Sequence, residues 1–142
     1  MKQALLTLAV LAVISVTSVA CNAGRPPTDA SPDTFCAQVH DFYSGVDRLG
    51  GGASNHEVAG LVKQLARRLA DVGTPGDIPT DARQGFELTL DAIHDLPDDA
   101  STAEVEAIDA DLSLDERRDT QAFDTYLALT CGTSTDAVGG PV

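Results

Sequence analysis

The chain has 142 residues, 22 of them Asp or Glu against 9 Lys or Arg, and a net charge of −13. Nucleic-acid binding needs a basic footprint to neutralise phosphates, so this balance excludes it. With no Trp, 1 Met and 4 Phe, few large apolar side chains are available to fill a core.

The first 20 residues read MKQALLTLAVLAVISVTSVA. Lys2 is their only charge, and Ala4 to Ile14 is apolar except for Thr7. A basic start, an apolar run and a small-residue end make residues 1–20 a secretory signal peptide. The run is too short for a spanning helix, which takes about 20 apolar residues. Ser18-Val19-Ala20 fits small-x-small cleavage. With Cys21 directly behind the cut it also resembles a lipobox, Ser18 standing where Leu is usual.

The chain has 3 cysteines, Cys21, Cys36 and Cys131, and an odd thiol is a liability in an oxidising compartment. Acylation of Cys21 would leave Cys36 and Cys131 to pair. The alternative is a soluble secreted protein in which Cys21 merely follows the cut. A diacylglyceryl cysteine carries two acyl chains, enough for stable anchoring. Cleavage after Ala20 removes Lys2 and no acid, leaving 8 basic against 22 acidic residues and a net charge of −14. Such a surface repels anionic headgroups, so the acyl chains are the expected membrane contact.

Residues 21–31, rich in Pro and small polar side chains, read as a lipidated, disordered tether. Residues 132–142 read as a disordered tail, and residues 32–131 as one folded unit. From Pro32, the residues Phe35, Val39, Phe42, Val46 and Leu49 recur at helical spacing, with Ser31 as cap. Gly50 to Gly52 ends that helix. Ser54 and Glu57 make a capping box before the stripe Val58, Leu61, Val62, Leu65, Leu69 and Val72. The segment GTPGDIP at 73–79 is a stop. A third helix is predicted from Thr80 to Leu96, aligning Ala82, Phe86, Leu90 and Ile93 and closed by Pro97. Ser101 and Glu104 open a short helix with Val105, Ile108 and Leu112. Ser113 and Glu116 start a last one, carrying Phe123, Tyr126, Leu127 and Thr130.

Cys36 then falls in the first turn of the first helix and Cys131 in the last turn of the last. A disulfide requires their Cα atoms within about 7 Å. Four long alternating helices bring these ends to one pole, whereas five would separate them. The expected fold is therefore all-α, an up-down-up-down four-helix bundle. Residues 102–112 would be a short connector, and a Cys36–Cys131 disulfide would close the bundle.

Chemical motifs are weak. Residues 109–120 imitate a calcium loop, but Leu114 stands where Gly is needed and Thr120 where a bidentate Glu is needed. His56-Glu57 begins like HExxH, yet Gly60 replaces the second histidine. His40, His56 and His94 lie on different helices, and a metal-dependent enzyme would require them to converge with acids. Asp95, Asp98 and Asp99 crowd an exposed connector, where nothing tunes a carboxylate for acid–base work. No catalytic residue, metal ligand or cofactor is expected. Leu88, Leu114 and Leu129 lie off the apolar stripes and are candidates for a partner surface.

Phe35-Cys36 early in the domain and Cys131-Gly132 at its end, behind the lipobox-like leader, resemble the small, uncharacterised helical lipoproteins of actinobacteria. The resemblance implies location and a disulfide-closed helical domain, and carries over no catalytic residue. The function expected is a non-enzymatic envelope lipoprotein, a binding or accessory module on the outer face of the cytoplasmic membrane that contacts an envelope protein. A carrier of a small apolar ligand is the alternative, and requires a core cavity lined by Phe42, Leu65, Phe86 and Phe123.

Overall fold

The computed structural model describes residues 24–49 and 52–133. The helices run in the order α1 (Pro32–Asp47), α2 (Asn55–Val72), α3 (Thr80–Asp95), α4 (Thr102–Glu106) and α5 (Leu114–Cys131). Among the described residues there is no strand. Local chemistry sets most helix starts. Ser31 accepts from Thr34 N, with proline in the first turn of α1. Ser54, Ser101 and Ser113 each form a reciprocal capping box, with Glu57, Glu104 and Glu116. Two orphan backbone donors are thereby satisfied at each of these three starts. The ends follow the sequence too. Gly73 terminates α2 at positive φ, Leu96 turns to extended backbone before Pro97, and Gly132 caps α5 in the left-handed region.

α1 and α3 stop slightly short of expectation, at Asp47 and Asp95 rather than Leu49 and Leu96. The larger difference is α4, which ends at Glu106. Residues 107–111 run on as turns, with Ala110 N donating to Ala107 O and Leu112 N to Asp109 O. Ile108 still packs on the second core cluster from this turn, and Arg117 takes the carbonyls of Ala110 and Leu112.

The long helices pack as a bundle in which α3 lies along α5 and α1 along α2, with α2 against α3 and α1 against α5 completing the ring. Phe35, Val39, Leu69, Phe86, Phe123 and Leu127 form the main core cluster. Its rings meet edge to face, with centroids 6.3 Å apart for Phe35–Phe86 and 5.5 Å for Phe86–Phe123. A second cluster of Val62, Ala66 and Ile93 takes Val105 and Ile108 of the connector against it. Gly85 sets the spacing of α3 and α5, because a Cβ there would run into the Asp119 carbonyl. Cys36 and Cys131 form a disulfide with their Cα atoms 5.1 Å apart, joining the start of α1 to the end of α5.

Residues 24–31 depart from the expected disordered tether. They form a strap on the bundle: Thr74 N donates to Pro27 O (3.0 Å) and Ala30 N to Thr74 O (3.2 Å). Composition suggested a free coil because Pro and small polar residues read alike whether their backbone is loose or held from afar.

Candidate functional site

Besides these backbone bonds, one side chain outside the apolar stripes holds the strap. Arg83, on the first turns of α3, donates through Nη2 to Pro26 O at 2.5 Å and through Nη1 to Pro27 O at 2.9 Å. Nη1 also bonds the hydroxyl of Thr74, a fully buried residue of the α2–α3 loop. Its Nε donates to Glu87 Oε1 at 2.8 Å, and the guanidinium lies 5.7 Å from the Phe86 ring centroid. Arg25 reaches the other oxygen of Glu87, at 3.9 Å. Gly73 makes the approach possible, since its φ is +73° and a Cβ would strike Pro27 O.

Beside the strap, a groove of about 400 Å³ runs between α2 and α3. Its apolar lining is Ala66, Ala70, Leu90 and Ile93, and its charged lining is Arg25, Lys63, Arg67, His94, Glu87 and Asp91. Gly24 and Pro26 of the strap form part of its wall. Three fixed positive charges against two negative ones give this wall a net of +1, in a chain of net −13. Lys63 is tied to Asp98 at 2.8 Å and holds that carboxylate below its usual range, chiefly by hydrogen bonding.

Inside the bundle, among the described residues, the space is smaller. A void of about 40 Å³ lies among Phe42, Phe86, Phe123 and their neighbours, well below the roughly 300–1,000 Å³ of small-ligand sites. Of the residues expected to line a carrier's cavity, Phe42, Phe86 and Phe123 border this void and Leu65 does not.

The remaining expected residues are dispersed. Leu114 and Leu129 are exposed, at 77% and 83%. They sit on the first and last turns of α5, about 22 Å apart along its axis, and Leu88 is half-buried on α3. The three therefore do not form one patch. His40 and His94 are exposed, and His56 Nδ1 donates to the Asp98 carbonyl at 3.2 Å. No group of three or more His, Cys, Asp or Glu converges among the described residues. Around the calcium-like segment, Arg117 already donates to the carbonyls of Leu112 and Ala110, at 2.9 and 3.1 Å.

Carboxylates with displaced pKa values have local causes. Serine hydrogen bonds hold Glu57, Glu104 and Glu116 low. Burial pushes Asp124 up, with Asp109 adding to it. Burial and then Asp124 raise Tyr43. Cys21 lies outside the described residues. No family model, curated protein or solved structure matches the chain.

Proposed function

We propose that the chain is a non-enzymatic cell-envelope lipoprotein. Residues 1–20 direct export, and diacylglyceryl-Cys21 anchors the folded domain at the outer face of the cytoplasmic membrane. There it serves as a binding or accessory module. The observation that carries this reading is the pairing of Cys36 with Cys131, which leaves Cys21 as the odd one of three cysteines. That cysteine directly follows a leader with a lipobox-like end, where acylation would account for it. The non-enzymatic part of the proposal rests on the shifted carboxylates. Glu57, Glu104 and Glu116 are helix caps and Asp98 is a surface ion-pair partner, so structural roles account for these four shifts, and burial accounts for that of Asp124. The strap bears on anchoring as well: the first described residues are held on the bundle, and two residues, Asn22 and Ala23, separate Gly24 from Cys21. An anchor there would hold the α2–α3 face close to the bilayer.

The test is the intact mass of the native protein from detergent-extracted membranes and from culture supernatant. The expected species is membrane-bound, begins at Cys21, carries a diacylglyceryl group and lacks two hydrogens for the disulfide. An unlipidated species in the supernatant would overturn the reading and leave Cys21 a spare thiol of a soluble secreted protein.

A further inference from the structure

We infer that the groove between α2 and α3 is a binding site for a small amphiphilic anion, a single apolar chain bearing a phosphate or carboxylate head. This rests on the binding-module reading but does not need lipid on Cys21, so failure of one test leaves the other standing.

Three observations carry it. The first is size and form: about 400 Å³, half-enclosed between two helices, lies within the roughly 300–1,000 Å³ of small-ligand sites. The 40 Å³ core void does not. The second is lining. Ala66, Leu90 and Ile93 supply an apolar wall, and small Ala side chains keep α2 from filling the space. The third is charge. Arg25, Lys63 and Arg67 all line this one groove, in a chain with 22 acids and 9 Lys and Arg in total. Of these three cations, Lys63 is paired with Asp98 and Arg25 with Glu87, so Arg67 is the one the groove offers. Glu87 is occupied by Arg83 and Arg25, and Asp91 is exposed to water. Arg67 makes no ion pair or hydrogen bond among the described residues, so its guanidinium is available to an incoming acid group in bidentate geometry. A bilayer surface is a poorer fit, because a flat array of headgroups does not enter a concave groove and the surrounding acids repel it.

The test uses the whole secreted chain with Cys21→Ser, titrated calorimetrically with decyl phosphate and decyltrimethylammonium below their micellar concentrations and with decanol below its solubility limit. Saturable single-site binding of decyl phosphate is expected, with the neutral and cationic analogues weaker by about tenfold or more. Arg67→Glu should weaken decyl phosphate by a similar factor of about ten at an unchanged melting temperature. Ala70→Trp, which fills the groove from its half-buried edge, should abolish binding. Equal binding of the three analogues would overturn the proposal, as would an Arg67→Glu variant that binds like the parent. Capture on phosphatidylglycerol vesicles with no binding of decyl phosphate would also overturn it, making the cations a membrane-facing patch.

Discussion

At the scale of single residues, Arg83 is the position on which most of the long-range order of the N-terminal segment depends. Its guanidinium bonds two strap carbonyls, the Thr74 hydroxyl and the Glu87 carboxylate. Only 13% of its side chain is exposed. Arg83→Ala orphans a buried threonine hydroxyl and releases the strap. A hydrogen bond to a charged group is worth about 1.5–3 kcal/mol net, and the four are not additive. A loss of about 2–4 kcal/mol in chemical denaturation is expected, with hydrogen exchange accelerated across residues 24–31. Gly73→Ala should lift the same strap for a different reason, because the backbone at φ +73° and the approach of Pro27 O both exclude a Cβ. Its cost is about 1–3 kcal/mol, and the exchange map should show residues 24–31 released while Arg83 is intact. None of this was legible from local pattern: Arg83 and Pro26 are 57 positions apart, and helical periodicity carries no information about what a polar-face arginine reaches across that distance.

At the scale of elements the sequence was far more readable, because helix starts are made by neighbours. The boxes Ser54–Glu57, Ser101–Glu104 and Ser113–Glu116 each close within three residues, and all three appear where the spacing put them. The truncation of α4 was half legible. The acids after Leu112 announced a break, but the stripe of Val105, Ile108 and Leu112 suggested helix as far as 112. These caps also set the acid response. Each glutamate titrates below its usual range in the folded chain, held there by its serine. The stability such a group contributes is present above its unfolded pKa, about 4.3, and is lost as pH falls through the lower folded value. Asp124 acts in the opposite sense. Its raised value contributes stability below its unfolded pKa that is lost as pH rises through the folded one. Three caps and Asp98 against one aspartate give a net loss on acidification. The melting temperature should fall as pH drops from about 5 to about 2. The triple variant Glu57→Gln, Glu104→Gln, Glu116→Gln should show a shallower fall over the same range. Parallel curves for the two proteins would mean that other groups govern the acid limb.

For the whole molecule, the disulfide links two helix pairs that are unequal in how they hold together. α3 and α5 approach closely at Gly85 and share Phe86 and Phe123, while α1 packs mainly on α2, where Gly45 admits Leu65. Contact between α1 and α5 is thinner, and the Cys36–Cys131 bond sits at its pole, beside Phe35 and Tyr126 with ring centroids 6.1 Å apart. The cysteines are 95 positions apart, and closing a loop of that order lowers the entropy of the unfolded chain by the equivalent of about 4.7 kcal/mol, an upper value for real proteins. Native stability of domains this size is about 5–15 kcal/mol in all, and this core has no Trp and few Phe to draw on. Cys36→Ala with Cys131→Ala should therefore lose about 2–5 kcal/mol, a fall in melting temperature of about 10 °C at least for most of that range. The order of opening distinguishes a cross-link that acts only on the unfolded chain from one that also holds the helix pairs together. If the bond holds the pairs, native-state hydrogen exchange in the double variant should show α1 losing protection before α3 and α5. Uniform loss of protection across all four long helices would assign the effect to the unfolded chain alone.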